Sequence, residues 1–143
     1  MVCFAFDDYE KWTKGYPYEV FISQTEMMLT KWSEGIDLLK TIENRSSDTD
    51  ALIRYAEAAY LHLRADLLHT KYSYMKRDIK KYKSELIELA KESSKDAKRL
   101  SQLQSVDATI GFEASNHYYY TPHLLKEKVI NIDKFTRELE DIE

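Results

Sequence analysis

The sequence predicts an all-α fold, a four-helix bundle-like domain with long antiparallel helices. Only 3 Gly and 2 Pro occur in 143 residues, too few for the frequent turns of a many-stranded fold. Apolar residues recur at three- and four-residue steps along most of the chain, as they do on one face of a helix. A hydrophobic fraction of 43% is enough for the single folded domain, residues 1–143, that we expect.

The first helix is expected over residues 17–42. Pro17 suits a first helical position, because proline has no backbone N–H to leave unpaired there. Apolar residues then follow at intervals of seven, four, four and three. The predicted core stripe comprises Phe21, Met28, Trp32, Ile36 and Leu39.

The second helix is expected over residues 49–76, after the polar loop "NRSSDTD" at 44–50. Ser47 followed by Asp50 resembles a capping box, and Asp48 is an alternative N-cap. The small alanines of this helix would let a neighbouring helix approach closely. Its predicted stripe comprises Leu52, Ala56, Ala59, Leu63, Leu67, Tyr74 and Met75.

The third and fourth helices are expected over residues 78–104 and 122–141. A break or kink is expected near Arg77 and Asp78; since no Gly or Pro marks it, the alternative is that the second and third helices are nearly continuous. Thr121 and Pro122 form a cap followed by a first-turn proline. The predicted core comprises Ile79, Tyr82, Leu86, Leu89, Ala90, Ala97, Leu100 and Leu103 in the third helix, and Leu125, Val129, Ile132, Phe135 and Leu139 in the fourth.

The charge distribution argues against nucleic acid as a partner. The net charge is −4, and the lysines between 76 and 98 are interleaved with acids, which is typical of a solvated helix face. These acids are Asp78, Glu85, Glu88, Glu92 and Asp96.

Membrane and export signals are not visible in the sequence. No apolar run approaches the roughly 20 residues of a membrane span, so we expect no membrane partner. The opening "MVCFAF" has neither the basic start nor the length of a signal peptide, and the sequence leaves the compartment open. A start with apolar residues at the tip suits a fragment of a larger chain.

No catalytic, metal or cofactor site is predicted. The single cysteine, Cys3, excludes a disulfide framework and a multi-cysteine zinc site. Glu113 and His117 are four residues apart, but no second acid and histidine pair repeats them as a di-metal bundle would require. No nucleophile has a base near it in sequence, so we expect no catalysis by this chain alone.

The segment "DATIGFEASNHYYYT" at 107–121 is the one stretch that helical periodicity does not explain. Aromatic rings can cover the apolar face of a sugar while polar neighbours hold its hydroxyls, so carbohydrate is a candidate ligand. Under this hypothesis the segment lines a substrate cleft or a domain interface. The candidate residues are Glu113, Asn116, His117, Tyr118, Tyr119 and Tyr120.

The same segment can instead be a structural brace. Gly111 would permit a backbone turn that a side chain hinders. Glu113 would hold free amide groups, and Asn116 would fix the entry into the fourth helix. The sequence leaves the brace and the cleft wall as alternatives.

Two stretches carry a resemblance to known proteins. They are "FDDYEKWTKGYPYEVFISQTEMMLTKWSEGIDLL" at 6–39 and "LQSVDATIGFEASNHYYYTPHLLKEKVIN" at 103–131. Both resemble the C-terminal helical region of large bacterial multidomain proteins whose upstream part is a glycoside-hydrolase-like barrel. The likeness rests above all on Asp107, Ile110, Gly111, Phe112, Glu113, Ala114, Ser115, Asn116, His117, Tyr118, Tyr119 and Tyr120, followed by Glu127, Lys128 and Val129.

The resemblance implies a non-catalytic accessory domain. In such proteins the catalytic carboxylates would belong to the barrel, so none is assigned to residues of this chain. The implied partner is the catalytic domain of the same parent chain, on which this domain packs and whose carbohydrate cleft it would line. The alternative is a stand-alone helical module for protein–protein interaction or dimerisation.

Overall fold

The computed structural model describes residues 15–113, 118–119 and 121–142, and this part of the chain is dominated by four long helices. A three-residue 3-10 turn follows the second helix, and one pair of two-residue strands lies between the third and the fourth. The elements are α1 (Tyr18–Lys40), α2 (Ser47–Met75), the 3-10 turn (Lys76–Asp78), α3 (Lys83–Val106), β1 (Phe112–Glu113), β2 (Tyr118–Tyr119) and α4 (Pro122–Glu140).

The helices pack in pairs, and the chain divides into two compact units, Met1–Arg77 and Asp78–Glu143. In the first unit α1 packs on α2, and in the second α3 packs on α4. The predicted all-α, helical bundle-like fold is confirmed. None of the helices in the described residues is long and apolar enough to cross a membrane.

The first hairpin is held by a small apolar core between α1 and α2. Ile22, Leu29 and Leu67 form its buried cluster. Tyr18 of α1 stacks on Tyr74 of α2 with ring centroids 4.0 Å apart, which closes the end of the hairpin. Half-buried side chains that pack against this cluster include Phe21, Tyr60 and Leu63.

The core stripe of α1 is displaced by one residue from the prediction. The buried residues are Ile22, Leu29 and Ile36, at a strict seven-residue spacing, and of these the prediction included only Ile36. Met28 and Trp32, both assigned to the core, are 40% and 39% exposed. A seven-residue repeat places one narrow row of side chains, here called the seam, against the neighbouring helix. The large side chains of Met28 and Trp32 lie beside this seam.

The prediction for α2 contains a similar error. Leu52 is 51% exposed, whereas the adjacent Ile53 is buried. Leu67 is buried as predicted, and the remaining stripe residues are half-buried.

The N-terminus of α2 is capped by Ser46, not by Ser47 or Asp48. The Ser46 hydroxyl accepts a hydrogen bond from the Thr49 amide at 3.2 Å. The capping box predicted from Ser47 and Asp50 is wrong, because the helix is capped one residue earlier; the Asp50 carboxylate instead binds Arg45 at 3.0 Å. The same guanidinium donates to the Lys40 carbonyl at 2.8 Å, which ties the end of α1 to the start of α2.

The break predicted near Arg77 and Asp78 is present as the 3-10 turn, but α3 begins at Lys83, five residues later than expected. The Lys83 ammonium donates to the carbonyls of Glu140 and Ile142 at 3.0 and 2.5 Å. It thereby satisfies free carbonyls at the end of α4 and fixes the antiparallel arrangement of the second hairpin.

The second hairpin has the better predicted core. The buried apolar residues of α3 all belong to the predicted stripe, and so do the two buried apolar residues of α4. They are Leu86, Ala90, Ala97, Leu100 and Leu103 in α3, and Leu125 and Leu139 in α4.

Adjacent residues of α1 provide a direct test of the displaced stripe. Leu29→Ala should lower the free energy of unfolding by about 2–5 kcal/mol, because Leu29 is 5% exposed and its removal leaves a cavity. Met28→Ala truncates a side chain of similar size that is exposed to solvent, and it should lower the free energy of unfolding by less than about 1 kcal/mol. Urea unfolding of both variants measures the difference, and equal losses would contradict the assignment of Leu29 to the seam.

Candidate functional site

The segment 107–121 starts from a fixed turn at the end of α3. The Asp107 carboxylate accepts hydrogen bonds from the Thr109 amide at 3.0 Å and the Thr109 hydroxyl at 2.6 Å. The Ile110 amide donates to the Asp107 carbonyl at 3.2 Å. An aspartate that binds the backbone two residues later forms an Asx turn, so Asp107 ends the helix and reverses the chain.

Gln104 anchors this turn from within α3. Its side-chain amide donates to the Ile110 carbonyl at 3.1 Å, and Gln104 is only 4% exposed. Ile110 itself is buried. A buried apolar side chain and a buried hydrogen bond to the same residue hold the loop against the helix.

Gly111 follows in the conformation that the sequence predicts. Its φ of +102° lies in the region that side chains disfavour. Immediately afterwards β1 pairs antiparallel with β2, with Phe112 opposite Tyr119 and Glu113 opposite Tyr118. The glycine thus turns the chain from the α3 end into this short pairing.

The six predicted site residues are placed only in part. Glu113, Tyr118 and Tyr119 take part in the strand pairing through their backbones. Asn116, His117 and Tyr120 lie outside the described residues. The roles predicted for the side chains of all six therefore stay predictions.

The entry into α4 is placed as predicted, with Thr121 before the helix and Pro122 at its start. However, the Thr121 side chain makes no capping hydrogen bond. Its carbonyl instead accepts from the Leu124 amide at 3.0 Å. The first turn therefore depends on the fixed φ of Pro122 and on the backbone, not on a threonine cap.

Sequence reasoning missed the two residues that hold the turn. Neither Asp107 nor Gln104 is among the residues predicted to brace the segment. The Asp-x-Thr spacing of Asp107 and Thr109 is a recognisable turn signal. Gln104, beside the core residue Leu103 on α3, carries no comparable signal, because its role depends on the buried carbonyl that it meets.

A second surface of interest lies on the first hairpin and is centred on Trp32. The indole N–H donates to the Ala56 carbonyl at 2.8 Å. Met28 lies one turn before Trp32 on α1, and Leu52 and Tyr55 lie within one turn of Ala56 on α2. All four side chains are exposed. We call Met28, Trp32, Leu52 and Tyr55 the Trp32 surface.

A metal site in a protein requires several ligating side chains close together. In the described part of the chain, no group of three or more His, Cys, Asp or Glu side chains lies close enough together to hold a metal ion.

Comparison with known proteins finds no match, whether with family models, with curated proteins or with solved structures. The fold and the two surfaces therefore define the chain only as a helical module.

Two glycines provide a paired test of the turn. Gly111→Ala should lower the free energy of unfolding by about 1–3 kcal/mol, because alanine is strained at positive φ. Gly35→Ala should raise it by about 0.5–1 kcal/mol, because Gly35 lies within α1 and an added Cβ meets nothing within 4 Å. Thermal unfolding measures both, and a stabilising Gly111→Ala would contradict the turn.

The anchor of the turn is tested by removing its hydrogen bond at nearly constant size. Gln104→Met should cost about 1–3 kcal/mol, because it strands the Ile110 carbonyl. Gln102→Met, at an exposed position two residues away, should change stability by less than about 0.5 kcal/mol. Urea unfolding compares the two variants. Similar effects would mean that the Gln104 bond does not hold the loop.

Proposed function

We propose that this chain is a non-catalytic helical accessory domain of a larger glycoside-hydrolase-like protein. In this proposal the domain packs on the catalytic barrel and lines part of its carbohydrate cleft. The observation that carries the packing role is the Trp32 surface. The barrel and its carbohydrate rest on the resemblance of segments 6–39 and 103–131.

The Trp32 surface has the properties of an interface. Isolated exposed apolar residues are normal, but clusters of large ones often mark contact sites. Tryptophan, tyrosine and methionine are enriched where proteins meet. Because the Trp32 indole is already tied to the Ala56 carbonyl, less side-chain freedom would be lost when a partner covers it.

The segment 107–121 would act in this proposal as a positioned loop. Gln104, Asp107 and Gly111 fix where the loop leaves α3, and Pro122 fixes where it enters α4. Anchors at both ends are what a structural brace needs, and a rigid cleft wall needs them as well. Glu113, Asn116, His117 and Tyr118–Tyr120 therefore remain the candidates for the cleft wall.

The same surface also supports the alternative of a stand-alone interaction or dimerisation module. A second copy of the chain could cover the Trp32 surface as well as a barrel could. In the accessory-domain proposal the Trp32 surface is buried only when the rest of the parent protein is present. In the dimerisation proposal it is buried when the concentration of this chain is high enough.

Thiol labelling distinguishes the two proposals. Leu52→Cys is introduced with Cys3→Ser, and its labelling rate is measured in the 143-residue chain and in the native-length protein. We expect labelling to be about tenfold slower or more in the native-length protein, which corresponds to about 1.4 kcal/mol of protection. Lys126→Cys, at an exposed polar position on α4, is the control and should label at the same rate in both.

Other labelling results would lead to different conclusions about what covers the Trp32 surface. Slow labelling of the short chain that depends on its concentration would favour dimerisation. Slow labelling independent of concentration, or equal rates in both proteins, would contradict packing through the Trp32 surface. A native protein without a segment beyond these 143 residues would exclude the accessory domain. Sugar release from polysaccharides by the native-length protein tests the glycoside-hydrolase part separately.

A further inference from the structure

A groove of about 800 Å³ runs along the second hairpin between α3 and α4. This volume lies within the range of small-molecule binding sites. The groove is lined by five cationic side chains and one acidic side chain, Asp133. The cations are Lys91, Lys95, Lys98 and Arg99 of α3 and Arg137 of α4.

The groove separates charges that the sequence interleaves. Lys91, Lys95 and Lys98 are spaced by four and three residues and therefore follow one side of α3. Of the acids near them in sequence, Asp96 is buried, and neither it nor Glu92 lines the groove. The lysines are exposed, as the sequence predicts, but Glu92 and Asp96 are not among the residues that line the groove.

Partners inside the chain leave much of this positive charge available. Glu88 binds Lys91 at 2.8 Å, and this hydrogen bond and the charge of Glu88 raise the Lys91 pKa. Lys95 and Lys98 make no ion pair among the described residues. Within the part of the chain that the structure describes, Arg137 donates only to the Asp133 carbonyl, at 3.3 Å. Lys95, Lys98 and Arg137 thus line a shared cavity without a carboxylate partner among the described residues.

Ser94 adds a buried hydroxyl donor to the lining of the groove. It lines the cavity, is 6% exposed, and its hydroxyl has no hydrogen-bond partner within the described part of the chain. A serine within a helix often donates to the carbonyl four residues before it. Other hydroxyls in these helices do so, for example Thr136 to the Ile132 carbonyl at 2.9 Å. The unpaired Ser94 hydroxyl is a polar group that a ligand could satisfy.

We propose that this groove binds a small anion carrying two or more phosphate groups. Lys91 to Lys98 span roughly 10 Å along α3 at 1.5 Å per residue, so phosphates several ångströms apart can meet different lysines. Arg137 reaches the same cavity from α4 and can bind a phosphate in a bidentate manner. The inference does not depend on the accessory-domain proposal.

The features of the groove favour a compact polyanion over an extended acidic partner. The cations come from both helices and surround one cavity, whereas a macromolecular partner needs a longer charged surface. The net charge of −4 would also repel a large polyanion at long range. A small ligand that enters the groove meets the local cations within a Debye length of about 8 Å at physiological salt.

Isothermal titration calorimetry with inorganic tripolyphosphate at physiological salt tests the proposal. The double variant Lys95→Gln with Lys98→Gln should weaken binding by about tenfold or more. The control, Lys80→Gln with Lys126→Gln, removes the same charge from exposed positions of the same hairpin that do not line the groove. It should change affinity by less than about twofold.

Ser94→Ala provides a second, smaller test. It should weaken tripolyphosphate binding by several-fold without lowering the melting temperature, because the hydroxyl has no partner to lose.

A second arm identifies the source of the phosphate groups. Vesicles containing a phosphatidylinositol bisphosphate replace free tripolyphosphate, and binding that is lost in the Lys95 and Lys98 variant would assign a lipid headgroup. Equal weakening by the control pair, or no binding of either probe, would overturn the proposal. So would tighter binding of a ten-residue polyglutamate peptide, which would assign the groove to an acidic protein segment.

Discussion

The structure depends first on the narrow seam along which the two helices of each hairpin pack. In the first hairpin this seam repeats every seven residues at Ile22, Leu29 and Ile36, as in a short coiled coil. Trp32 lies beside this seam, 39% exposed, and its indole N–H donates to the Ala56 carbonyl. The second hairpin has small residues in its seam, Ala90 and Ala97, which permit close helix contact. The exposed apolar surface and the cationic groove are both consequences of pairwise helix packing.

Sequence periodicity predicted the helices well because 3.6-residue spacing is a local property. Their ends lie within two residues of prediction except at α3, whose start was misplaced by five residues because no Gly or Pro marks the 3-10 turn. The prediction placed Met28 and Leu52 in the core. The buried residues are instead their neighbours Leu29 and Ile53. Adjacent apolar residues fit a helical pattern almost equally, so only the direction of the neighbouring helix decides which of them is buried.

The candidate sites were less predictable for a different reason. The turn at Gly111 could be expected, since glycine is the residue that adopts a φ of +102° without strain. Its anchor, Gln104, could not, because nothing in sequence connects that side chain to the Ile110 carbonyl. The groove was missed because Glu92 and Asp96 neutralise the lysines when charges are counted along the chain, whereas neither acid lines the groove in the folded hairpin.

The two surfaces place different physical demands on whatever binds them. Binding at the Trp32 surface would be favourable because apolar side chains lose contact with water. A partner must therefore cover large apolar side chains and need not carry charge. The groove offers exposed ammonium groups, for which each contact is weak alone and several must act together. Such a site favours ligands in which negative charges are close enough to be bound at once. Under the two proposals, the first hairpin would form an apolar interface, and the second would bind a small anion reversibly and with a strong dependence on salt.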